Sequence, residues 1–305
     1  MALLNGCTRR IFKASSIAAS MALLIGLSGC GLDQKALVLV IDPTYSASVI
    51  ATSDNGLTVA DGLIWTENGI YIADEGGSAI RLWKDPTSSR TLSDRSSGIL
   101  SPEDLVLDDD GNIYFTDDDA GGLWQVDRAG NTRNLAGTEK GLTSTEGLAL
   151  GPDGSLLVGE ATSGTIKRVT RDGQVSEFIG QDAGIKKPES MAFGDGGNLY
   201  IADNEDDVLY LHTRDRKLNR LIENVDDFSP ESLWYAGGTL YITDSRNGKL
   251  FTYSPTTGLK VLAVFGGKLR AVSGVTTDPK GNVYISVQTD LSRKVGYLIK
   301  LDPGH

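Results

Sequence analysis

Five acids recur at almost constant intervals along this 305-residue chain: Asp61, Glu103, Glu146, Glu189 and Glu231, followed by Ser273. The steps between them are 42, 43, 43, 42 and 42 residues. A second series, Asp74, Asp117, Glu160, Asp203 and Asp244, trails the first by 13 or 14 residues. Carboxylates gathered around one centre can do two kinds of chemistry. They can hold a hard cation: calcium takes about 6–8 oxygen ligands at about 2.3–2.6 Å, and magnesium is the alternative. Crowding also raises their pKa values, which suits a general base working near neutrality. His212 and His305 both fall outside the pattern. The second series has a plainer use open to it, capping loops by accepting backbone N–H bonds.

Whatever positions these acids must itself repeat. Each acid of the first series opens a similar phrase, from "ADGLIWTENGIYIADE" (60–75) and "PEDLVLDDDGNIYFTDD" (102–118) to "VSGVTTDPKGNVYISVQ" (272–288). A unit reads as an alternating strand, a tight turn such as "DDDG" or "GPDG", and a second alternating strand. A third strand ("AIRLWKD", "TIKRVTR") and a short fourth ("VSEFI") follow. Four antiparallel strands in roughly 40–45 residues make a propeller blade. A single blade cannot bury both faces, so the units must stack around an axis. The prediction is an all-β, six-bladed β-propeller over residues 36–305. The sixth unit reaches only its third strand, and "SASVIAT" (Ser46–Thr52) supplies the missing outer one, closing the ring. Strands run up and down, so the start of each first strand and the end of each second share an edge. The first series then converges on the axis at one mouth. The second lies one strand spacing, about 4.8 Å, further out. Tyr71, Tyr114, Tyr200, Tyr241 and Tyr284 share one repeat position and read as inter-blade packing.

The first thirty residues differ in kind. Arg9, Arg10 and Lys13 precede an apolar run, Ala14–Leu27, which ends in Leu27-Ser28-Gly29-Cys30. That order is an export signal, and the run is shorter than the roughly 20 residues a spanning helix needs. "LSGC" resembles a bacterial lipobox, which would make Cys30 the lipidated first residue of the mature protein. "TRRIFK" (Thr8–Lys13) is similar to a twin-arginine motif, with the general secretory route as the alternative. The expected division is a signal peptide at 1–29, a lipidated tether at 30–35, and the propeller from 36. Gly31 favours the outer over the inner membrane in a two-membrane cell. Cleavage also removes Cys7, so no free thiol remains for covalent catalysis or a metal. It leaves 26 basic against 40 acidic residues, moving the net charge from −11 to −14. An envelope protein this acidic repels nucleic acid and draws cations to its surface.

With these residues in place, the chain resembles the gluconolactonase/senescence-marker-protein family of six-bladed propellers over essentially all its mature length. "DGLIWTENGIYIADEGGSAIRLW" (Asp61–Trp83) looks like that family's opening blade, and "PEDLVLDDDGNIYFTD" like its Pro-Asn-Asp-Leu blade. The resemblance implies a divalent cation, calcium, in the channel mouth, held by Asp61, Glu146 and Glu189. Glu189 would double as general base in the hydrolysis of a lactone or related ester, with Glu103 and Glu231 meeting the substrate. Asp61 stands where the family has Glu, Glu146 where it has Asn, and Glu189 where it has Asp. The extra negative charge suits a neutral or cationic substrate better than an anionic sugar acid. "LALGPDGSLLVGE" is similar to streptogramin lyases, whose channel histidines have no counterpart here. "LYIADN" and "LYITDS" are phrases of NHL-repeat scaffolds. The alternative function is therefore a lipid-anchored, non-catalytic binding propeller with a structural cation.

Overall fold

Each repeat unit folds as a four-stranded antiparallel sheet, and six such sheets stand around one axis in the computed structural model. The structure describes residues 10–12, 23–26, 37–266, 269, 271–290 and 295–304. The proposed lipidation site Cys30 and the 30–35 tether lie outside the described residues. The inner strands are Ala60–Thr66, Pro102–Leu107, Thr145–Leu150, Pro188–Phe193, Leu233–Ala236 and Ala271–Thr277, in blades 1 to 6. The second strands of blades 1 to 5 end on Asp74, Asp117, Glu160, Asp203 and Asp244.

Ring closure follows the sequence reading. Tyr45–Thr52 pairs antiparallel with Val295–Pro303 as the outer strand of blade 6, with Ala47 opposite Leu301 and Val49 opposite Ile299. One further strand was not anticipated. Leu37–Val40 pairs with Gly258–Gly266 and adds a fifth strand to the outer edge of blade 5. Residues 37–52 therefore clasp the last two blades together. Beyond them, Leu23–Gly26 and Arg10–Phe12 continue the blade 5 sheet, inside the segment read as an export signal.

No single core holds the ring together. The buried apolar side chains fall into six clusters, each shared by two neighbouring blades. Between blades 1 and 2, for example, Ala73 and Ile80 meet Leu105, Ile113 and Phe115. The tyrosine series belongs to these seams: Tyr114, Tyr200 and Tyr284 are buried, and Tyr71 and Tyr241 pack against the clusters.

Two local features aim the inner acids. In blades 1, 2, 3, 4 and 6 the pairing of first and second strands slips by one residue at the acid or serine position. Such a bulge takes the extra residue out of the ladder and re-aims its side chain. Glycine follows at three positions because neighbouring inner strands crowd there. A Cβ on Gly62 would lie 2.8 Å from the Glu103 carbonyl oxygen, and one on Gly147 2.9 Å from Ser190 Cα. Gly274 meets the Asp61 carbonyl even more closely.

Candidate functional site

The first acidic series converges as its spacing requires. Asp61, Glu103, Glu146, Glu189, Glu231 and Ser273 line one cavity of about 30 Å³ at the axis, together with Gly62, Asp104, Ser190 and Ser232. At a liquid share of roughly 30 Å³ per water, that volume holds about one water. Glu75 and Asp118, one residue beyond the second strands, add their charge to the same mouth.

The second series behaves differently. Each of its acids accepts backbone N–H groups from the loop leading into its own blade. Asp117 binds the amides of Leu100 (2.7 Å), Ser101 (3.0 Å) and Ala120 (2.8 Å). Glu160 takes Thr143 and Ser144, Asp203 takes Lys186 and Lys187, and Asp244 takes Ser229. Asp74 accepts from Thr58 and pairs with Arg81. These acids are loop caps, as their plainer reading supposed. Blade 6 has Val287 at this position, followed by Gln288. The Gln288 side-chain amide turns inward, donating to Ser273 Oγ at 3.1 Å, with Asp61 Oδ1 3.5 Å away.

The decisive residue escaped the sequence reading. Lys187 Nζ stands 3.0 Å from Glu146 Oε1 and 2.8 Å from Glu189 Oε2, in a largely buried setting. Burial alone would lower its pKa, but Glu189 and Glu146 outweigh it and push the ammonium above its ordinary value. Asp203 fixes the Lys187 backbone amide, so the side chain starts from a pinned loop. A signal was present in the repeat. The residue two before each first-series position is Val59, Ser101, Ser144, Lys187, Ser229 and Ala271, so blade 4 alone places a cation there.

The carboxyls around this ammonium cannot all ionise. Glu103 is raised well above the usual carboxylate range by burial, then by Asp61, Glu146, Glu75 and Glu189. Burial, with Glu75 and Glu231, does the same to Asp61. Glu189 is raised by burial, Glu146 and Glu231 against the pull of Lys187. Glu146 is raised by burial, with Lys187 working against it. Beneath the ring, burial pushes Asp104 up to about 7 although it accepts hydrogen bonds from Leu105, Leu148 and Ser190.

The expected calcium ligands therefore need correction. Asp61, Glu146 and Glu189 do share one cavity, but Glu146 and Glu189 are engaged with Lys187, while Asp61 meets Glu75 of its own blade. Among the described residues no three His, Cys, Asp or Glu side chains are gathered closely enough to hold a metal ion. An ammonium already occupies the cation's place, and the residues do not fit calcium or magnesium as arranged. Glu103 and Glu231, read as substrate contacts, do line the cavity. Glu231 Oε2 accepts from Asn204 Nδ2 (3.0 Å) and Ser245 Oγ (2.7 Å).

Comparison with known proteins places the fold. The strictosidine synthase-like N-terminal family matches residues 92–126, a stretch within blades 1 and 2. No curated protein matches the sequence. Among solved structures, the gluconolactonase of Xanthomonas campestris superposes with a TM-score of 0.65 at 16% identity, covering 88% of this chain and 89% of its own. Regucalcin of Agrobacterium tumefaciens, a calcium-binding protein, gives 0.65 at 15% identity over 86% and 96%. A catalytically inactive variant of virginiamycin B lyase from Staphylococcus aureus, with quinupristin, gives 0.64 at 14% over 85% and 99%. At these identities the likeness shows the propeller fold alone.

Two outcomes follow from this geometry. The raised acids bind more protons in the folded than in the unfolded state, so stability falls as pH rises from the ordinary carboxylate range through their raised values. Asp85 and Asp108, lowered to about 2, pull the other way, but their contribution is complete well below neutrality. The melting temperature should peak near about pH 5 and decline toward about pH 8. Glu103→Gln should flatten that decline, raising the Tm at the alkaline end by about 2–4 °C per kcal/mol of relieved repulsion. Thermal melts across this range check both, and a Tm rising with pH would contradict them. Lys187→Met should create a calcium-dependent rise in Tm that the unaltered protein lacks. Equal calcium responses in the two proteins would show that the ammonium does not occupy the ion's place.

Proposed function

We propose that the mouth is a hydrolytic centre for small neutral or cationic lactones or related esters, working by carboxyl acid–base chemistry. The observation that supports this is the contrast across one cavity. Burial raises all four acids, but Lys187 pulls Glu146 and Glu189 back toward the ionised form, while neighbouring acids push Asp61 and Glu103 further up. Titratable groups whose environments push their protonation apart supply an acid and a base in one site. In this reading Glu189 takes a proton from water as the water oxygen bonds to the substrate carbonyl carbon. Protonated Glu103 or Asp61 donates a hydrogen bond to the developing oxyanion, and the Lys187 ammonium stabilises it electrostatically. Collapse breaks the carbonyl carbon–alkoxy oxygen bond, and Glu189 returns its proton to the leaving alkoxide. The gluconolactonase among the structural neighbours is consistent with this class of substrate. Calcium enters only as a competitor that would have to displace the ammonium.

A second reading, a non-catalytic binding propeller, is favoured by the small cavity and the lysine standing in it. An aryl-ester and lactone panel on the mature protein separates the two. Glu189→Gln should lower turnover by about 10²–10⁴-fold. Absence of turnover across the panel would leave the binding reading. The export signal and Cys30 support a lipid-anchored protein of the cell envelope as the setting for this activity. Cys30→Ala should shift the protein from the membrane to the soluble fraction, and unchanged fractionation would refute the anchor.

A further inference from the structure

The channel changes character below the acidic ring. Each inner strand begins at the mouth, so its later residues line the opposite end. There Ile64, Val106, Leu150, Phe193, Trp234 and Val275, one from each blade, surround a separate cavity of about 210 Å³. These six side chains are apolar and most are only partly buried, while the lining as a whole is about as polar as apolar. Asp104 and Ser232 line both this cavity and the mouth, so they stand at the waist between them. The Asp104 carboxyl is held in place by the amides of Leu105 (2.8 Å) and Leu148 (3.1 Å). Trp234 is fixed at the wall by its indole N–H, which donates to Thr277 Oγ1 at 2.9 Å.

We propose that this far chamber is a second binding site, separate from the mouth, for a small primary amine carrying one apolar ring, with its ammonium paired to Asp104. The size sets the ring: at a liquid share of roughly 30 Å³ per water, the chamber has room for about seven waters. Small-molecule sites are mostly apolar with a few placed polar groups. Here the six apolar side chains take the ring and the Asp104 carboxyl at the waist takes the head group. Burial raises that carboxyl to about 7, and an ammonium beside it would stabilise the ionised form. An anionic ligand finds no Lys or Arg among the residues lining the chamber. A neutral alcohol of the same shape loses the charge-assisted bond.

Tryptophan fluorescence of the full-length protein titrated with benzylamine and with benzyl alcohol tests this. Benzylamine should give a saturable change and bind at least about tenfold more tightly than the alcohol, the difference a charged hydrogen bond makes. Trp234→Phe should abolish the change, Asp104→Asn should erase the preference for the amine, and Glu189→Gln should leave that preference intact. Equal binding of the two compounds, or no saturable change, overturns the proposal. So does a preference lost in Glu189→Gln and kept in Asp104→Asn, which would put the amine in the mouth. If Asp104→Asn does not fold, the amine-to-alcohol ratio and Trp234→Phe decide alone.

Discussion

Closing six sheets into a ring forces six strand starts onto one axis, and five of them carry a carboxyl. The blades gain their stability at the seams, where each apolar cluster is shared by two neighbours. That stability is indifferent to what sits at the centre, so the crowding there has to be relieved locally. Desolvation and mutual repulsion both penalise ionised carboxylates in such a space. Two things relieve them: the raised pKa of Asp61 and Glu103 favours their neutral forms, and Lys187 supplies a positive charge. The second ring escapes the problem, because its acids look outward to backbone amides. One strand spacing separates the two fates of the same residue type.

Lys187 differs from a bound ion in ways that matter. It carries one charge rather than two, cannot be diluted away, and offers three donors where calcium would demand six or more oxygens. A single ammonium cannot balance the surrounding carboxyls, which is why several remain protonated. It also ties the two rings together. Asp203 of the outer ring pins the loop from which Lys187 reaches, and Glu146 and Glu189 of the inner ring receive it. The outer ring is thus structural in itself but sets the electrostatics of the inner one.

The repeat made most of the architecture legible. A period near 42 residues, alternating strands and Gly-containing turns specify the blades, and an incomplete sixth unit specifies the closing strand. Convergence of Asp61, Glu103, Glu146, Glu189 and Glu231 followed from strand direction alone. Bulges did not show, because the repeat fixes where each strand starts but not how its residues pair with the next strand. Leu37–Val40 did not show either, since it pairs outside the four-strand unit that the repeat defines. Lys187 was hidden for the opposite reason to the acids. Reading by repetition finds what recurs, and this residue matters because it does not recur.

The same asymmetry runs down the channel. Immediately below the acids, blades 1, 3 and 6 place Gly62, Gly147 and Gly274, while blades 2, 4 and 5 place Asp104, Ser190 and Ser232. The glycines let neighbouring strands close in, and the polar residues fill the opened side with a short hydrogen-bonded chain. Ser190 Oγ accepts the Leu233 amide and donates toward Asp104. Below this layer each blade contributes an apolar side chain, so the axis offers an acidic end and an end ringed by apolar side chains, with Asp104 between them. Because a six-blade ring needs only the seams, its channel residues are free to differ from blade to blade. The chemistry of this propeller therefore lies in its departures from symmetry.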